Sequence, residues 1–164
     1  MLKSTEIDAL DAAIIERLQA DGRMSATALA RAIGLSVPAV TERLRRLNDS
    51  SIIVGYSARI ASRRLGYELK AFVRLKHTGA NYKPFRRLLE ERHEIIECDH
   101  VTGDDCFIMK VLARSMEHLE ELTRDIARFG DVTTSVVYST FLEQRAVKAV
   151  FESTGKALRA VRLP

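Results

Sequence analysis

Two short helices joined by a glycine turn constrain this chain more than any other feature of its sequence. The second of them lies within "GLSVPAVTERLRRL", residues 34–47. Ser36 can cap this helix, and Pro38 fits its first turn, where a missing N–H costs little. Gly34 ends the preceding helix, which Ser25 can cap. The spacing therefore predicts two helices that leave and enter one tight turn.

The residues around this turn supply what a helix-turn-helix needs. Ala30 is small where the two helices would cross, and Val40 is apolar where the second helix must be held. An earlier helix, capped by Thr5 or Asp8, is indicated by apolar residues at helical spacing: Ile7, Leu10, Ile14 and Leu18. The following "SSIIVGYSARI" reads as two short strands around Gly55, so the pattern predicts a winged helix-turn-helix.

Positive charge is concentrated near the last of these helices. Residues 1–30 hold three Lys/Arg and five Asp/Glu, a net charge of −2. Residues 31–64 hold seven Lys/Arg and two Asp/Glu, a net charge of +5. Residues 65–164 hold sixteen Lys/Arg and fifteen Asp/Glu, a net charge of +1. A local basic excess of this kind indicates a polyanionic partner.

The outer surface of the third helix is the candidate DNA-binding site. At about 100° per residue, Glu42 and Arg46 point away from the apolar stripe. Arg43 lies on one flank and Arg45 on the other. Arginines there would contact phosphates or guanine edges, and Glu42 would accept from a cytosine amino group. The alternative is a solvated face on which Glu42 and Arg46 form an i,i+4 pair. The candidate contact residues are Ser36, Pro38, Ala39, Thr41, Glu42, Arg43, Arg45 and Arg46.

The second half of the chain has the pattern βαββαβ, which predicts a ferredoxin-like fold and an α+β protein overall. Its last helix, in "SMEHLEELTRDIARFG", is expected to turn Met116, Leu119, Leu122 and Ile126 inward. "IIECDHVTGDDCFIMKVLA" reads as a hairpin that turns at Gly103 and Asp104.

The hairpin register follows from that turn. Glu97 should oppose Lys110 as a cross-strand ion pair, with Asp99 opposite Ile108 on the same face. The opposite face, which is expected to meet the helices, comprises Ile96, Cys98, His100, Phe107, Met109 and Val111. Cys98 and Cys106 should then lie on opposite faces. A disulfide and a metal site are both disfavoured, and the two cysteines are expected to be thiols.

These residues resemble the Lrp/AsnC (feast/famine) family of bacterial and archaeal transcription regulators. The resemblance rests on "IDALDAAIIERLQADGRMSATALARAIGLSVPAVTERLRRL", "IIVGYSARI" and "LGY", and it extends over nearly the whole chain. The family usually has glycine where this chain has Ser51. The expected organisation is a DNA-binding domain over 1–60, a linker over 61–67, a RAM-type domain over 68–144 and an extension over 145–164.

The resemblance implies that the RAM-type domain carries oligomerisation and sensing of a small molecule, an amino acid. Family members bind such effectors near the hairpin turn, in clefts between dimers. The matching residues are Thr102, Gly103, Asp104 and Asp105 from one subunit and Thr133, Thr134 and Ser135 from another. Asp105 stands where the family has an aromatic residue, and Cys106 where it has aspartate. The alternative is a solvated hairpin turn, which Gly-Asp favours in any case.

The expected function is sequence-specific DNA binding that regulates transcription, with no catalysis and no cofactor. The expected partners are double-stranded DNA and further copies of the chain, as a homodimer or a higher oligomer such as an octamer. No membrane span is expected, and the cytoplasm is the expected location. The alternatives are an architectural DNA-binding protein without a ligand, and an enzyme or metal-binding protein on a ferredoxin-like scaffold. Residues 145–164 either pack on a neighbour or form a basic tail.

Overall fold

The computed structural model describes residues 7–104 and 106–150. The chain divides into two compact units. One comprises the residues up to Arg59 together with those from Leu142 onward, and the other spans Ile60–Phe141. Each unit has its own hydrophobic core.

The first unit contains three helices, whose bounds are α1 Ala9–Ala20, α2 Ala26–Ile33 and α3 Val37–Asp49. Asp8 caps α1, and its carboxylate and that of Asp11 accept each other's backbone N–H in a capping box.

The turn between α2 and α3 has the predicted glycine stop and serine caps. Gly34 ends α2 with a left-handed φ of 72°, and the Ser25 and Ser36 hydroxyls cap the two helices. The three helices share a buried core, which includes Ala30 and Val40 as predicted. Its members are Ile14, Leu29, Ala30, Val40 and Leu47. The helix-turn-helix is therefore confirmed.

The predicted wing is not formed as two strands. Residues 51–61, all of which the structure describes, contain no strand. Ser51 has a φ of 56°, the left-handed conformation that glycine adopts most readily. The chain after α3 is tied to it instead, because the backbone N–H groups of Ile52 and Ile53 both donate to the Leu47 carbonyl. A hairpin needs partner strands within the same segment, and here Val54 and Tyr56 are exposed.

The second unit begins with a 3-10 helix, Ser62–Leu65, within the segment predicted as a linker. Its main elements are β1 Leu69–His77, α4 Lys83–Glu91, β2 Ile95–His100, β3 Phe107–Ala113, α5 Met116–Ile126 and β4 Gly130–Val136. The four strands form an antiparallel sheet in the order β2-β3-β1-β4. The ferredoxin-like βαββαβ arrangement is confirmed.

One sheet face packs on α4 and α5. Along β1, Ala71, Val73 and Leu75 are buried and alternate with exposed residues. The inward orientation predicted for Leu119, Leu122 and Ile126 of α5 is confirmed by their burial. Three expected inward residues are exposed instead, and one of them is His100, the last residue of β2, which stacks on Phe107. Met116 stands at the first position of α5 with 57% of its surface exposed. Ile96 is 46% exposed, because an irregularity in the β2–β3 register between Ile95 and Glu97 shifts the inward position to Ile95.

The hairpin between β2 and β3 has the predicted register. Glu97 pairs with Lys110 and Asp99 with Ile108, and Lys110 Nζ lies 2.9 Å from Glu97 Oε1. The two cysteines, however, do not lie on opposite faces, since both contact the same core. Cys106 precedes β3, so strand alternation does not govern its direction. Both are free thiols.

Candidate nucleic-acid interface and effector site

A buried carboxylate joins the first helix to the third. Asp11 lies on the inner side of α1, and its side chain is fully buried. Its Oδ1 accepts from Arg43 Nη1 at 2.7 Å and its Oδ2 from Arg46 Nη2 at 2.5 Å. Arg43 also reaches Asp8 Oδ2 at 2.7 Å. We call Asp8, Asp11, Arg43 and Arg46 the α1–α3 ion cluster.

The ion cluster is internally balanced, with two carboxylates facing two guanidinium groups. Burial acts to raise the pKa of Asp8, but hydrogen bonds from the Asp11 backbone N–H and from Arg43 outweigh it and leave the pKa below its ordinary value. A doubly bonded buried carboxylate fixes both the distance and the rotation of α3 relative to α1. The cluster therefore determines which face of α3 is free.

The cluster corrects the predicted orientation of Arg46. This side chain does not point away from the core, because it turns to α1 and is half-buried. Arg43 lies on a flank as predicted and is 22% exposed, with its guanidinium on the two aspartates. The alternative pairing of Glu42 with Arg46 is also wrong. Glu42 Oε1 instead accepts from Arg45 Nη2 at 2.6 Å.

The free face of α3 is an exposed stripe at helical spacing. It comprises Ser36, Pro38, Thr41, Glu42 and Arg45, and Ala39 beside it is half-buried. Arg45 bridges Glu42 and Asp49, and its side chain is 62% exposed. The Arg45 guanidinium holds the pKa of the Glu42 carboxyl below its ordinary value. We call these five residues the α3 outer stripe.

Sequence reasoning missed the role of Asp11. The signal was present, because Asp11 falls four residues after Ile7 and three before Ile14, within the apolar stripe of α1. A carboxylate on a buried helix face requires a cationic partner. Which arginines supply it depends on the crossing of α1 and α3, more than thirty residues apart.

The candidate effector residues at the hairpin turn are exposed. Thr102, Gly103 and Asp104 follow β2, and Gly103 has a φ of 115° with nothing within 4 Å of an added Cβ. The turn is closed by Val101 N–H donating to the Cys106 carbonyl at 2.9 Å. Asp105, also predicted here, lies outside the described residues.

The other candidate effector residues lie elsewhere on the sheet. Thr133, Thr134 and Ser135 are exposed on β4, which β1 separates from β3. Thr134 lines a groove of about 390 Å³ between β4 and α5, whose walls are completed by Met116, Glu117, Leu119, Glu120, Thr123 and Val136. The structure does not bring the turn and the β4 residues together within one chain.

Family models match both units. Residues 7–48 match the AsnC-type helix-turn-helix domain, and residues 70–147 match the Lrp/AsnC ligand binding domain. The transcriptional regulator LrpC of Bacillus subtilis is 31% identical over 134 residues, covering 82% of this chain and 93% of that protein. The chain belongs to the Lrp/AsnC family. The family consists of transcriptional regulators with a helix-turn-helix domain.

Other members of the Lrp/AsnC family agree in sequence and fold. LrpA of Mycobacterium tuberculosis is 35% identical over 144 residues, which cover 85% of this chain and 95% of LrpA. The structure of B. subtilis LrpC superimposes with a TM-score of 0.81, covering 84% of this chain and 98% of LrpC. A feast or famine regulatory protein from M. tuberculosis, solved with L-methionine, gives a TM-score of 0.77 at 32% identity. The match covers 85% of this chain and 99% of that protein.

The remaining features of this Lrp/AsnC regulator concern metal binding, thiol chemistry and membrane insertion. Across residues 7–104 and 106–150, no three metal-binding side chains come together. Burial, with a smaller contribution from Asp99, raises the pKa of the Cys98 thiol to about 11, so this thiol stays protonated at neutral pH. In the same part of the chain, no helix is long and apolar enough to span a bilayer.

Proposed function

We propose that this Lrp/AsnC regulator binds double-stranded DNA in the cytoplasm through the α3 outer stripe, and that an amino acid modulates its assembly or its DNA binding. The observation that carries the proposal is the α1–α3 ion cluster, built on the buried Asp11. It holds α3 so that Pro38, Thr41 and Arg45 all face solvent. A rigid helix with one exposed face is what major-groove recognition requires.

The two ends of the outer stripe suit different contacts. At the N-terminus of α3, the Ser36 cap and the free backbone N–H groups suit a phosphate. Further along, Arg45 offers a planar fork for a guanine edge, and Glu42 beside it offers acceptors for a cytosine amino group. Arg43 and Arg46 are engaged by Asp11, so we assign them to positioning α3.

Replacing Arg45 with alanine tests this assignment. Loss of a base contact should weaken binding by about 1–3 kcal/mol per subunit on a duplex that the wild type selects from a random pool. An unrelated duplex should lose less, because phosphate contacts persist there. Fluorescence anisotropy with both duplexes measures the two affinities.

The matched control is Arg87→Ala. Arg87 is also an exposed arginine in an i,i+4 pair, with Glu91, but it lies on α4 of the other unit. Its removal should leave both affinities unchanged, and both variants should keep the wild-type melting temperature because exposed pairs contribute little. If Arg45→Ala bound the selected duplex as tightly as the wild type does, the α3 outer stripe would be excluded as the surface that recognises the DNA sequence.

Self-association is proposed through the sheet face that carries no helix. Phe72 on β1 is 41% exposed there, and the paired β3 residues Ile108 and Lys110 are half-buried. An exposed apolar centre with charged Glu97 and Asp99 at its side suits an interface between identical subunits. A two-fold DNA site needs two recognition helices, so a dimer is the smallest assembly that serves the function.

The effector is proposed to be a free amino acid at the hairpin turn. The support is the relative solved with L-methionine, together with the exposed turn at Thr102, Gly103 and Asp104. An amino acid carries both an ammonium and a carboxylate. The turn offers the Asp104 carboxylate for the first and backbone N–H groups for the second. A neighbouring subunit would add Thr133, Thr134 and Ser135.

Calorimetry with L-methionine and then each other standard amino acid tests the effector site. We expect the wild type to bind at least one of them and Asp104→Ala to lose that binding. Light scattering should show a dimer or larger, and the ligand should change its size, because a ligand shifts the population towards the assembly it prefers.

Asp131→Ala is the control, since Asp131 is an exposed aspartate at the start of β4 outside the proposed site. It should bind the ligand as the wild type does. Unchanged affinity in Asp104→Ala would move the site away from the turn. No binding by the wild type to any amino acid would favour an architectural protein without a ligand, and a monomer would exclude the sheet interface.

A further inference from the structure

The segment after the RAM-type domain is held by the helix-turn-helix unit. The side-chain amide of Gln19, near the end of α1, bonds both backbone groups of one residue of this segment. Gln19 Nε2 donates to the Val147 carbonyl at 2.8 Å, and Val147 N–H donates to Gln19 Oε1 at 2.7 Å. Arg59 Nη2 also lies 3.2 Å from Glu143 Oε2. Two points of attachment thus fasten residues 143–147 to this unit.

The C-terminal segment is strongly basic, with a net charge of +4 over residues 145–164. The whole chain has 26 Lys/Arg and 22 Asp/Glu, a net charge of +4. Residues 145–164 contain five basic residues, Arg145, Lys148, Lys156, Arg159 and Arg162, and one acidic residue, Glu152. The remaining residues therefore hold 21 of each sign, a net charge of zero. Arg145 and Lys148 are exposed.

The positive charges of α3 are neutralised by carboxylates within the same unit. Arg43 and Arg46 face Asp8 and Asp11, and Arg45 bridges Glu42 and Asp49. Three arginines are thereby matched by four carboxylates. Phosphate neutralisation supplies most of the non-specific affinity of DNA-binding proteins. Because the arginines of α3 are already paired with carboxylates, other basic residues must supply the non-specific affinity for DNA.

We propose that the stretch bearing Arg145 and Lys148 is a second DNA-contacting element, which adds phosphate contacts to those of the helix-turn-helix. This inference rests on the proposed DNA binding and goes beyond it. Arg145 and Lys148 are the nearest basic residues to the Gln19 attachment, and the three further basic residues follow along the chain.

The test is the salt dependence of DNA binding by the full chain. Arg145→Ala with Lys148→Ala should weaken binding to the selected duplex and to an unrelated duplex alike. The slope of log K against log salt should become shallower by about 1–2, since each phosphate contact contributes about 0.9. Gln19→Ala keeps every charge but releases Val147, so it should change the slope in the same direction by less.

Arg87→Ala with Arg124→Ala is the matched control, because both are exposed arginines in i,i+4 pairs on helices of the other unit. It removes the same charge and should leave the slope unchanged. An unchanged slope in Arg145→Ala with Lys148→Ala overturns the proposal, and so does an equal effect in the control. An unchanged slope in Gln19→Ala overturns the role of the attachment. A wild type that binds neither duplex refutes the proposed function itself, which is a distinguishable result.

Discussion

Replacing Asp11 with alanine should lower the free energy of unfolding of the helix-turn-helix unit by about 2–4 kcal/mol. The side chain is fully buried and bonds two arginines, and removing one partner of a buried ion pair leaves the other charge uncompensated. Because Arg46 is 42% exposed and Arg43 keeps Asp8, we expect the lower part of the range for buried pairs. The Asp8 cap itself persists in this variant, because the backbone N–H of residue 11 still donates to Asp8, and only the reciprocal bond from the Asp8 N–H is lost. Thermal and urea unfolding measure the change.

The control for this prediction is Asp49→Ala at the other end of α3. Asp49 also pairs with an arginine, Arg45, but 60% of its side chain is exposed. Its loss should change stability by less than about 1 kcal/mol. Asp11→Ala should also lose affinity for the selected duplex, although Asp11 itself faces the core. A stability equal to that of Asp49→Ala would show that the ion cluster does not hold α3.

Replacing Gly130 with alanine should destabilise the RAM-type domain by about 3 kcal/mol or more, through a backbone clash that cannot be relieved locally. Gly130 begins β4 opposite His77, with a φ of 151°. An added Cβ would collide with the Lys76 carbonyl oxygen and approach the His77 Cα at 3.2 Å. For a unit of this size, the melting temperature should fall by about 10 °C or more.

Gly55→Ala is the matched control for the glycine substitution. Gly55 has no neighbouring atom within 4 Å of an added Cβ and does not have a positive φ. Its substitution should change the melting temperature by no more than a few degrees. If Gly130→Ala melted like Gly55→Ala, the close approach of β4 to the end of β1 would be contradicted.

Local signals in the sequence were sufficient for most of the fold. The Ser25 and Ser36 caps, the Gly34 turn and the alternation of β1 each depend on residues close together in the chain. The hairpin register was also predictable, because a tight turn at Gly103 determines which residues oppose each other. The wing strands, the direction of Cys106 and the β2 irregularity, which carries no turn residue, escaped this reasoning.

The candidate site was less predictable than the fold. Helical periodicity placed Pro38 and Glu42 correctly on the outer surface of α3, but it assigned the exposed Arg45 to a flank and the half-buried Arg46 to the outer surface. Periodicity describes one helix at a time. It does not include α1, whose Asp11 draws Arg43 and Arg46 inward.

The sequence by itself determined the elements, their order and the family, because capping, turns and hydrophobic periods act over a few residues. It also determined where charge is in excess along the chain. Only the tertiary structure decided which of those charges are available to a partner. The arginines of α3 meet carboxylates on their own helix and on α1, while Gln19 fastens the basic segment near Val147 to the same unit. Long side chains choose partners across the fold, and such partners are close in space while remote in sequence.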